Sequence, residues 1–437
     1  MWHSYKRMKN NTFTNIHFVG IGGIGMSALA QLLAHDGVIV TGSDRSAGPT
    51  TELLESKGIH VHIGQRAENV TDAADAVVYS DAVVEGSEGY PERLRARELG
   101  IPEFSYFQML GKVSEGKRTV AVAGTHGKTT TTGMLAKILI DAGTSPTVIV
   151  GSITKDFGSN YVAGDSDLFV VEACEYRDHL LELSPEVLVI TNLEWDHTDW
   201  FPSIEAMQET FHKAARAVPQ HGAIITNPND PIIAAVLSDA LAPIIDYTIE
   251  PSYDLKLTGH FNVQNARAAA AAARFASPKA TADVIETSLA AFSGTWRRFE
   301  YKGKTANGAL VYDDYAHHPT AVRETIKMLR MQTRGKVYVA FHPHLFSRTR
   351  DLFNDFAVAF ENADKVFIAP IYAAREVDDG SVSSEKLAAA IRARGVDATA
   401  LDFAAIEKAF AEASPGDAVM TMGAGDIYKV AEAIVKK

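Results

Sequence analysis

Cysteine is almost absent from this sequence. Its 437 residues include a single one, Cys174, so no disulfide can form within the chain. Structural disulfides are rare where thiols are kept reduced, and a chain without them fits a reducing compartment. We therefore expect a cytoplasmic protein.

Long apolar runs and an excess of positive charge are also lacking. No stretch of about 18 apolar residues is present, which argues against a membrane span. The formal net charge is −12, which argues against a nucleic-acid partner, because non-specific binding to a polyanion depends on Lys and Arg displacing counterions. The first segment, MWHSYKRMKNNTF, has no apolar core of a secretory signal, and we expect residues 1–12 to form a short disordered leader.

The chain is long enough for about two to four domains. Short β-rich runs such as NIHFVG, RTVAVAG and KVYVAF alternate with helical patterns along its whole length. This alternation predicts an α/β fold in which each domain has a largely parallel sheet flanked by helices. We place the boundaries of three such domains at residues 1–112, 113–299 and 300–437.

The segment VAVAGTHGKTTTT has the pattern of a phosphate-binding loop between a strand and a helix. Gly124 and Gly127 let the backbone turn toward a ligand, Lys128 offers a charge to the β- and γ-phosphates, and the hydroxyl of Thr129 can coordinate Mg²⁺. Val122 stands where the strict Walker pattern has glycine, so the match is to a shorter variant. We predict a nucleoside triphosphate site formed by Gly124, Thr125, His126, Gly127, Lys128, Thr129 and Thr130.

A second phosphate-binding signature, GIGGIG, lies about a hundred residues earlier and also joins a strand to a helix. Asp44 ends the next strand, where a ribose hydroxyl would lie in a dinucleotide site. The pattern is typical of NAD binding, but physically it specifies only a pyrophosphate at a helix N-terminus; a UDP-sugar satisfies it equally, and a turn without a ligand is the simpler alternative. The substrate-binding candidates here are Gly22, Gly23, Ile24, Gly25, Met26, Ser27, Asp44, Thr51 and Ser80.

Acidic residues and a histidine follow two later strands. Glu172 ends the strand in VVEACEYRDH, and Glu194, Asp196 and His197 follow the strand in VITNLEWDHTD. Ligands of α/β sheets lie beyond such strand ends, so Glu172 and His197 could join Thr129 around one or two Mg²⁺ ions. A histidine is unusual for Mg²⁺, which leaves a hydrogen-bonding role open, and each acid could instead be a solvated loop residue. We expect Cys174 to be a packing residue and not a nucleophile.

Two histidine-containing segments lie in the last third of the chain. DDYAHHPTAV holds Asp313, Asp314, His317 and His318; a zinc site on the two histidines is conceivable but lacks further ligands of suitable spacing. FHPHLFSRTR contains His342, His344, Arg348 and Arg350. This basic cluster suits a carboxylate, although a plain basic helix start is the alternative.

Several segments resemble the signatures of the Mur ligases, in the same order: GIGGIGMSALA, AGTHGKTTTT, EACEYR, TNLEWDHTD, GHFNVQNARAA, RRFE, DDYAHHPTAV and HPHLFSRTRDLF. The resemblance implies a Rossmann-like N-terminal domain for a UDP-sugar, a P-loop ATPase-like central domain and a Rossmann-like C-terminal domain for the amino acid. It also explains the two loops, since the first would hold the UDP diphosphate and the second ATP. The implied cofactors are ATP and Mg²⁺.

The resemblance also assigns roles residue by residue. It implies phosphate and metal contacts for Lys128 and Thr129, metal-site roles for Glu172 and His197, and contacts to the amino-acid carboxylate for His344 and Arg348. The remaining ATP contacts that it implies are Asn262, Asn265 near adenine, Arg298 to phosphate and Asp314 to ribose. Two segments depart from the family pattern: Leu345 replaces a common Arg, and SYFQML is a loose version of RAEML.

The implied activity is an ATP-dependent ligation that joins L-alanine to the carboxylate of UDP-N-acetylmuramate through an acyl phosphate, in peptidoglycan precursor synthesis. A ligase that adds a whole tripeptide to the same sugar nucleotide is the closest alternative. An NAD-dependent oxidoreductase would leave GTHGKTT without a task, and a non-catalytic nucleotide switch would leave the third domain without one. We expect UDP-N-acetylmuramate and L-alanine as partners, and a monomer or weak homodimer.

Overall fold

The computed structural model describes residues 13–374 and 376–435. The segment for which the sequence predicts a disordered leader, residues 1–12, lies outside the described residues. The described chain divides into two compact units. The first contains residues up to 193 together with 208–256 and 264–293, and the second contains 194–207, 257–263 and the chain from residue 294 on.

The first unit contains a five-stranded sheet whose order is β3-β2-β1-β4-β5, with every neighbouring pair parallel. Its strands are β1 (Asn15–Val19), β2 (Ile39–Asp44), β3 (His60–Ile63), β4 (Ala76–Tyr79) and β5 (Glu103–Ser105). The accompanying helices are α1 (Ile24–His35), α2 (Pro49–Ser56), α3 (Tyr90–Glu98) and α4 (Tyr106–Ser114).

The same unit contains a seven-stranded sheet whose order is β12-β11-β10-β6-β9-β7-β8, with β8 antiparallel at one edge. Its strands are β6 (Arg118–Ala123), β7 (Thr147–Thr154), β8 (Ser159–Val162), β9 (Leu168–Glu172), β10 (Val187–Ile190), β11 (Ala223–Thr226) and β12 (Ile244–Asp246). The helices of this part of the chain are α5 (Lys128–Asp141), α6 (Ile204–Ala217), α7 (Pro231–Val236), α8 (His260–Ala276) and α9 (Ala282–Ala291). Strand β6 is an almost continuous apolar run because it lies between β10 and β9 and is buried on both faces.

The second unit contains a six-stranded sheet whose order is β13-β14-β18-β15-β16-β17, with β13 antiparallel at one edge. Its strands are β13 (Glu300–Lys304), β14 (Leu310–Asp314), β15 (Val337–Phe341), β16 (Lys365–Ile368), β17 (Asp397–Ala400) and β18 (Ala418–Met422). The helices are α10 (Pro319–Gln332), α11 (Phe346–Asp351), α12 (Phe353–Val358), α13 (Ser384–Ala393), α14 (Phe403–Phe410) and α15 (Tyr428–Ile434). Helices α10, α12 and α13 contribute to one apolar core, and α14 and α15 contribute to another.

The predicted α/β fold with largely parallel sheets flanked by helices is confirmed. Parallel strands bring their carboxyl ends to the same edge of a sheet, and the loops that follow these ends carry the candidate site residues. Within the described part of the chain, no helix has both the length and the apolar character needed to cross a membrane.

Candidate active site

The first glycine-rich loop connects β1 to α1, and its backbone is held by Asp44. The amide of Gly22 donates to Oδ2 of Asp44 over 2.9 Å. A Cβ on Gly22 would come within 2.8 Å of the same oxygen, which explains the requirement for glycine. The hydroxyl of Thr50 closes the loop from the other side by donating to the carbonyl of Gly22 over 2.6 Å. Asp44 therefore shapes the loop directly.

Some candidates of this loop are committed to structural contacts. Ser27 is fully buried; its hydroxyl donates to Ile24 and accepts from the side-chain amide of Asn160 on β8, over 2.9 Å and 3.2 Å. The hydroxyl of Thr51 closes the first turn of α2 through the backbone of Gly48. The remaining candidates lie in or beside the loop itself: Gly22, Gly23, Ile24 and Gly25, with Met26 buried behind it and Ser80 close to Gly20.

The second glycine-rich loop connects β6 to α5 and has little room for side chains. Gly124 and Gly127 have φ angles of 122° and 81°, in the region that favours glycine. A Cβ on Gly127 would collide with the side chain of Asn265, so this predicted ATP residue lies directly against the loop. The amide of His126 donates to Asn192 Oδ1 over 2.9 Å, which ties the loop to the end of β10. Thr125 and Thr130 are buried beside these residues.

Thr129 and Glu172 form the oxygen-rich part of this site. The hydroxyl of Thr129 donates to Glu172 Oε1 over 2.9 Å, and the amide of Gly151 donates to Oε2 over 2.7 Å. Hydroxyl and carboxylate oxygens are the ligands that Mg²⁺ prefers. The two side chains therefore fit a magnesium ion next to the phosphate loop.

Lys128 pairs with Glu175, a residue that the sequence analysis did not select. Its Nζ donates to both carboxylate oxygens, over 3.0 Å and 3.1 Å, and the side chain of Glu175 is fully buried. Burial opposes the charge on Lys128, but the carboxylate of Glu175 raises the pKa of the amine above its usual value. Glu175 is the second glutamate of EACEYR, three residues after the buried strand β9 ends, and this position was the sequence feature that could have identified it.

The sole cysteine lies next to this pair in sequence. Burial raises the pKa of the Cys174 thiol to about 12, and the negative charge of Glu175 acts in the same direction. The thiol is therefore protonated at neutral pH. This state agrees with a packing role, because the thiolate is the nucleophilic form of cysteine.

In the second unit, Arg348 is surrounded by residues from several predicted motifs. Its Nε donates to Oδ1 of Asp196 over 2.7 Å, and Nη1 lies 3.0 Å from Nδ1 of His344. The Nε2 atom of His317 is 4.0 Å from Oδ2 of Asp196. Burial lowers the pKa of His317 well below its usual value, and the charge of Arg348 adds to this effect, so the imidazole is neutral.

Arg298 and Asp314 also lie together in the second unit. Asp314 accepts from the amides of Phe299 and Ala316, over 2.6 Å and 2.7 Å, and the guanidinium of Arg298 lies 4.9 Å from the ring centre of Tyr315. Burial raises the pKa of Asp314, and the charge of Arg298 opposes that rise.

Arg297, which the sequence analysis did not select, organises the loop after β18. It is buried, and its Nε donates to Asp313 over 2.8 Å while Nη2 and Nη1 donate to the carbonyls of Gly423 and Gly425 over 2.6 Å and 2.9 Å. The positively charged neighbour of Arg298 is therefore a structural link between β14 and the turn after β18.

His317 and His318 do not act as a pair. The ring of His318 caps α10 by accepting from Thr320, and its Nε2 lies 3.2 Å from the carbonyl of Trp195. His317 instead faces Asp196, and its Nδ1 lies 3.0 Å from the carbonyl of Tyr315. The separate partners leave no zinc site made by these two rings together.

Several residues in these loops have left-handed backbone conformations. The φ angles are 52° at His197, 58° at Arg297 and 72° at Leu345. Such conformations are costly for residues with side chains, by about 1–3 kcal/mol, and they cluster at functional sites.

Asn262, one of the predicted ATP residues, lies in the first turn of α8. Its side-chain amide donates to the carbonyl of Thr258 over 2.7 Å.

The predicted residues are distributed over both units. The two loops, Glu172 and Asn265 belong to the first unit. The second unit contains His197, Asn262, Arg298, Asp314, His344 and Arg348. Within the first unit the structure brings Thr129 to Glu172 and Asn265 to Gly127, and within the second it brings His344 to Arg348.

Three family models match the chain. The Mur ligase family catalytic domain matches residues 15–118, the Mur ligase middle domain matches 122–255, and the Mur ligase glutamate ligase domain matches 297–425. The resemblance found in the motifs is thus present throughout the chain.

Curated relatives and solved structures agree with these matches. The chain is 37% identical to the UDP-N-acetylmuramate–L-alanine ligase of Clostridium acetobutylicum, over 98% of this chain and 99% of the relative. It is 38% identical to the protein of the same name from Acetivibrio thermocellus, over 98% and 96%. The crystal structure of the UDP-N-acetylmuramate–alanine ligase of Thermotoga maritima matches with a TM-score of 0.78 and 28% identity, over 96% of this chain and 98% of the other. A murein peptide ligase from Psychrobacter arcticus matches with a TM-score of 0.74 and 25% identity, over 96% and 98%. Together with the three family models, these similarities establish that the chain belongs to the Mur ligase family.

Proposed function

We propose that this protein joins L-alanine to the carboxylate of UDP-N-acetylmuramate, with ATP converted to ADP and phosphate. The observation that carries the proposal is the near full-length identity to ligases with these substrates in their names. The two separate phosphate loops of the first unit support it, because the reaction needs one site for a sugar nucleotide and another for ATP.

The UDP-sugar belongs at the first loop in this proposal, within a domain of residues 1–112. The start of α1 offers backbone N–H groups to the diphosphate, next to the glycines of the loop. Asp44 keeps the loop in the shape that allows this approach.

ATP belongs at the second loop, within a central domain of residues 113–299. Gly124 to Thr130 would surround the phosphates, with Asn262 and Asn265 as further nucleotide contacts and Arg298 and Asp314 as residues for phosphate and ribose. A magnesium ion would be held by Thr129 and Glu172, with His197 as a further candidate. When bound, ATP supplies the phosphoryl group that turns the muramoyl carboxylate into an acyl phosphate, and Mg²⁺ reduces the repulsion between the two anions.

The amino acid belongs to a C-terminal domain of residues 300–437. His344 and Arg348 are the residues we assign to its carboxylate, and the guanidinium of Arg348 supplies the charge. The amine would attack the acyl phosphate, and phosphate would leave from the tetrahedral intermediate. This chemistry needs positioning and neutralisation of charge and no covalent nucleophile, which agrees with the protonated state of Cys174.

The near absence of cysteine leads us to infer a cytoplasmic site of action. The proposed substrates, which are charged and water-soluble, agree with this inference. A monomer or weak homodimer remains our expectation for the quaternary structure.

Phosphate release tests the proposal. The purified protein would be assayed with ATP, Mg²⁺ and UDP-N-acetylmuramate, and with L-alanine, glycine, L-serine or the tripeptide as the amine. We expect the highest kcat/KM for L-alanine. Preference for the tripeptide would instead identify the ligase that adds a whole tripeptide to the sugar nucleotide, and phosphate release that needs no amine would indicate a nucleotide switch.

A further inference from the structure

The carboxylate of Asp196 and the guanidinium of Arg348 form a buried ion pair. The distance from Nε to Oδ1 is 2.7 Å, and the two side chains are only 3% and 4% exposed. Both residues belong to the second unit, although they are 152 positions apart in the sequence. The function proposed above gives Arg348 a ligand but leaves Asp196 without a role.

The contacts of Arg348 fix the direction in which it can bind a ligand. Nε is taken by Asp196, and Nη1 contacts both Nδ1 and the carbonyl oxygen of His344, at 3.0 Å and 3.4 Å. Among the residues that the structure describes, Nη2 has no hydrogen-bond acceptor. Nε and Nη1 are thus occupied, and the Nη2 end of the guanidinium is the part that a ligand carboxylate would meet.

Asp196 is itself held in place by the backbone of the following residue. Oδ1 accepts from the amide of His197 over 2.7 Å, and Oδ2 faces His317. The guanidinium of Arg348 also bonds to Oδ1, over 2.7 Å, so the carboxylate of Asp196 belongs to a buried ion pair. A charged and rigid acceptor therefore lies on one edge of a planar donor group, which fixes the plane of that group.

We propose that Asp196 is a positioning residue that turns the Nη2 end of Arg348 toward the carboxylate of the incoming amino acid. The inference rests on the proposed function, in which Arg348 receives that carboxylate. A role in stability alone is a poor explanation, because a buried ion pair contributes little net stability compared with apolar residues of similar volume.

The test separates amino-acid binding from the first half of the reaction. Asp196→Asn and Asp196→Ala would be compared with the wild-type protein in the full chain. We expect the KM for L-alanine to rise about tenfold or more in Asp196→Ala, as for the loss of one charge-assisted hydrogen bond. Formation of the acyl phosphate without amino acid can be trapped by borohydride reduction. It should change less than about twofold, or about 0.4 kcal/mol, because this step needs no amino acid.

A matched control is available in the same unit. Asp364 pairs with Arg330 over 2.7 Å at a more exposed position, and Asp364→Asn should leave both steps unchanged. If Asp196→Ala fails to fold, Asp196→Asn carries the test, because it keeps the volume and removes the charge.

A double-mutant cycle identifies the residue through which Asp196 acts. In an Arg348→Ala background, a further Asp196→Asn change should not raise the KM for L-alanine again. Independent, multiplying effects would overturn the proposal, and so would a loss of acyl phosphate with an unchanged KM for L-alanine. If the wild-type protein does not use L-alanine, the proposed function fails; if it does and Asp196→Ala behaves like wild type, only the role of Asp196 fails.

Discussion

Lys128 and Glu175 form an ion pair at the start of α5, with Nζ bonded to both carboxylate oxygens at 3.0 Å and 3.1 Å. The carbonyls of Gly124 and Thr125 also accept from the same ammonium. The ammonium of Lys128 in the phosphate loop is thus held by a buried carboxylate of the protein itself, that of Glu175. This arrangement makes the stability of the loop depend on Glu175.

Glu175→Ala should lower the free energy of unfolding by about 3 kcal/mol, the lower end of the cost of breaking a buried pair, because the two carbonyls still bind the ammonium. ATP with Mg²⁺ should recover part of this loss, since phosphate oxygens bring negative charge back to Lys128. Denaturant unfolding with and without nucleotide measures both effects. Glu209→Gln, which breaks an exposed pair with Lys213, is the control and should cost less than about 1 kcal/mol. A similarly small loss in Glu175→Ala would show that water screens the ammonium.

Lys128→Ala should abolish phosphate release and leave binding of UDP-N-acetylmuramate nearly intact. The two loops follow different strands of different sheets, and we assign them different ligands. Calorimetric titration of the variant with the sugar nucleotide checks this. Lys137→Ala, on the same helix, serves as the control, since Lys137 pairs with Asp141 away from the loop. Loss of sugar-nucleotide binding together with turnover would mean that the loops form a single site.

The first loop should bind UDP-N-acetylmuramate and not NAD. Its glycines select a pyrophosphate at a helix N-terminus, and Oδ2 of Asp44, the residue that would meet a ribose in an NAD site, accepts from the amide of Gly22. Titration with each compound, alone and in competition, measures the preference. Micromolar affinity for NAD that UDP-N-acetylmuramate does not disturb would contradict our assignment of this loop.

Arg348→Ala should weaken binding of L-alanine about ten- to a hundredfold, because a charge-assisted hydrogen bond of roughly 1.5–3 kcal/mol is lost. Acyl-phosphate formation should survive, since it needs only ATP, Mg²⁺ and the muramoyl carboxylate. Trapping the intermediate without amino acid follows that step separately. Arg350→Ala is the matched control, because Arg350 is half exposed and pairs with Asp351 and Asp379. A variant at Arg348 that forms no intermediate would show that this residue serves the phosphate.

The stability of the protein should include a contribution from Asp313 that falls as pH rises from about 4 to about 6. Burial raises the pKa of this carboxyl from 3.8 to about 6, against the attraction of Arg297. Between these values the folded protein keeps a proton that the unfolded chain has released. The free energy of unfolding therefore decreases by up to about 3 kcal/mol across the window.

Asp313→Asn has no such proton, so its unfolding free energy should lack this contribution. Denaturant unfolding at several pH values, with the variant compared to wild type, isolates the effect from that of other carboxylates. Parallel pH profiles for the two proteins would show that Asp313 has the same pKa in the folded and unfolded states.

The sequence by itself determined the features that depend on neighbouring residues. The alternation of β-rich and helical segments predicted the sheets, and Gly124 and Gly127 predicted the sharp turn into α5, since positive φ angles and helix N-termini are local properties. Glu172 was selected because it ends a buried strand, and that position alone puts it at the carboxyl edge of the sheet.

Only the tertiary structure decided which charges meet. Glu175 reaches Lys128 across 47 positions of sequence, Asp196 reaches Arg348 across 152, and Arg297 reaches Gly423 across 126. Lys128 follows β6 and Glu175 lies beyond β9, and these two strands are neighbours in their sheet; the order of strands, which sequence periodicity does not encode, makes the two segments adjacent. The same packing turned Asp44 toward the amide of Gly22 and Ser27 toward Asn160, because buried polar groups must satisfy their hydrogen bonds with whatever the fold brings near.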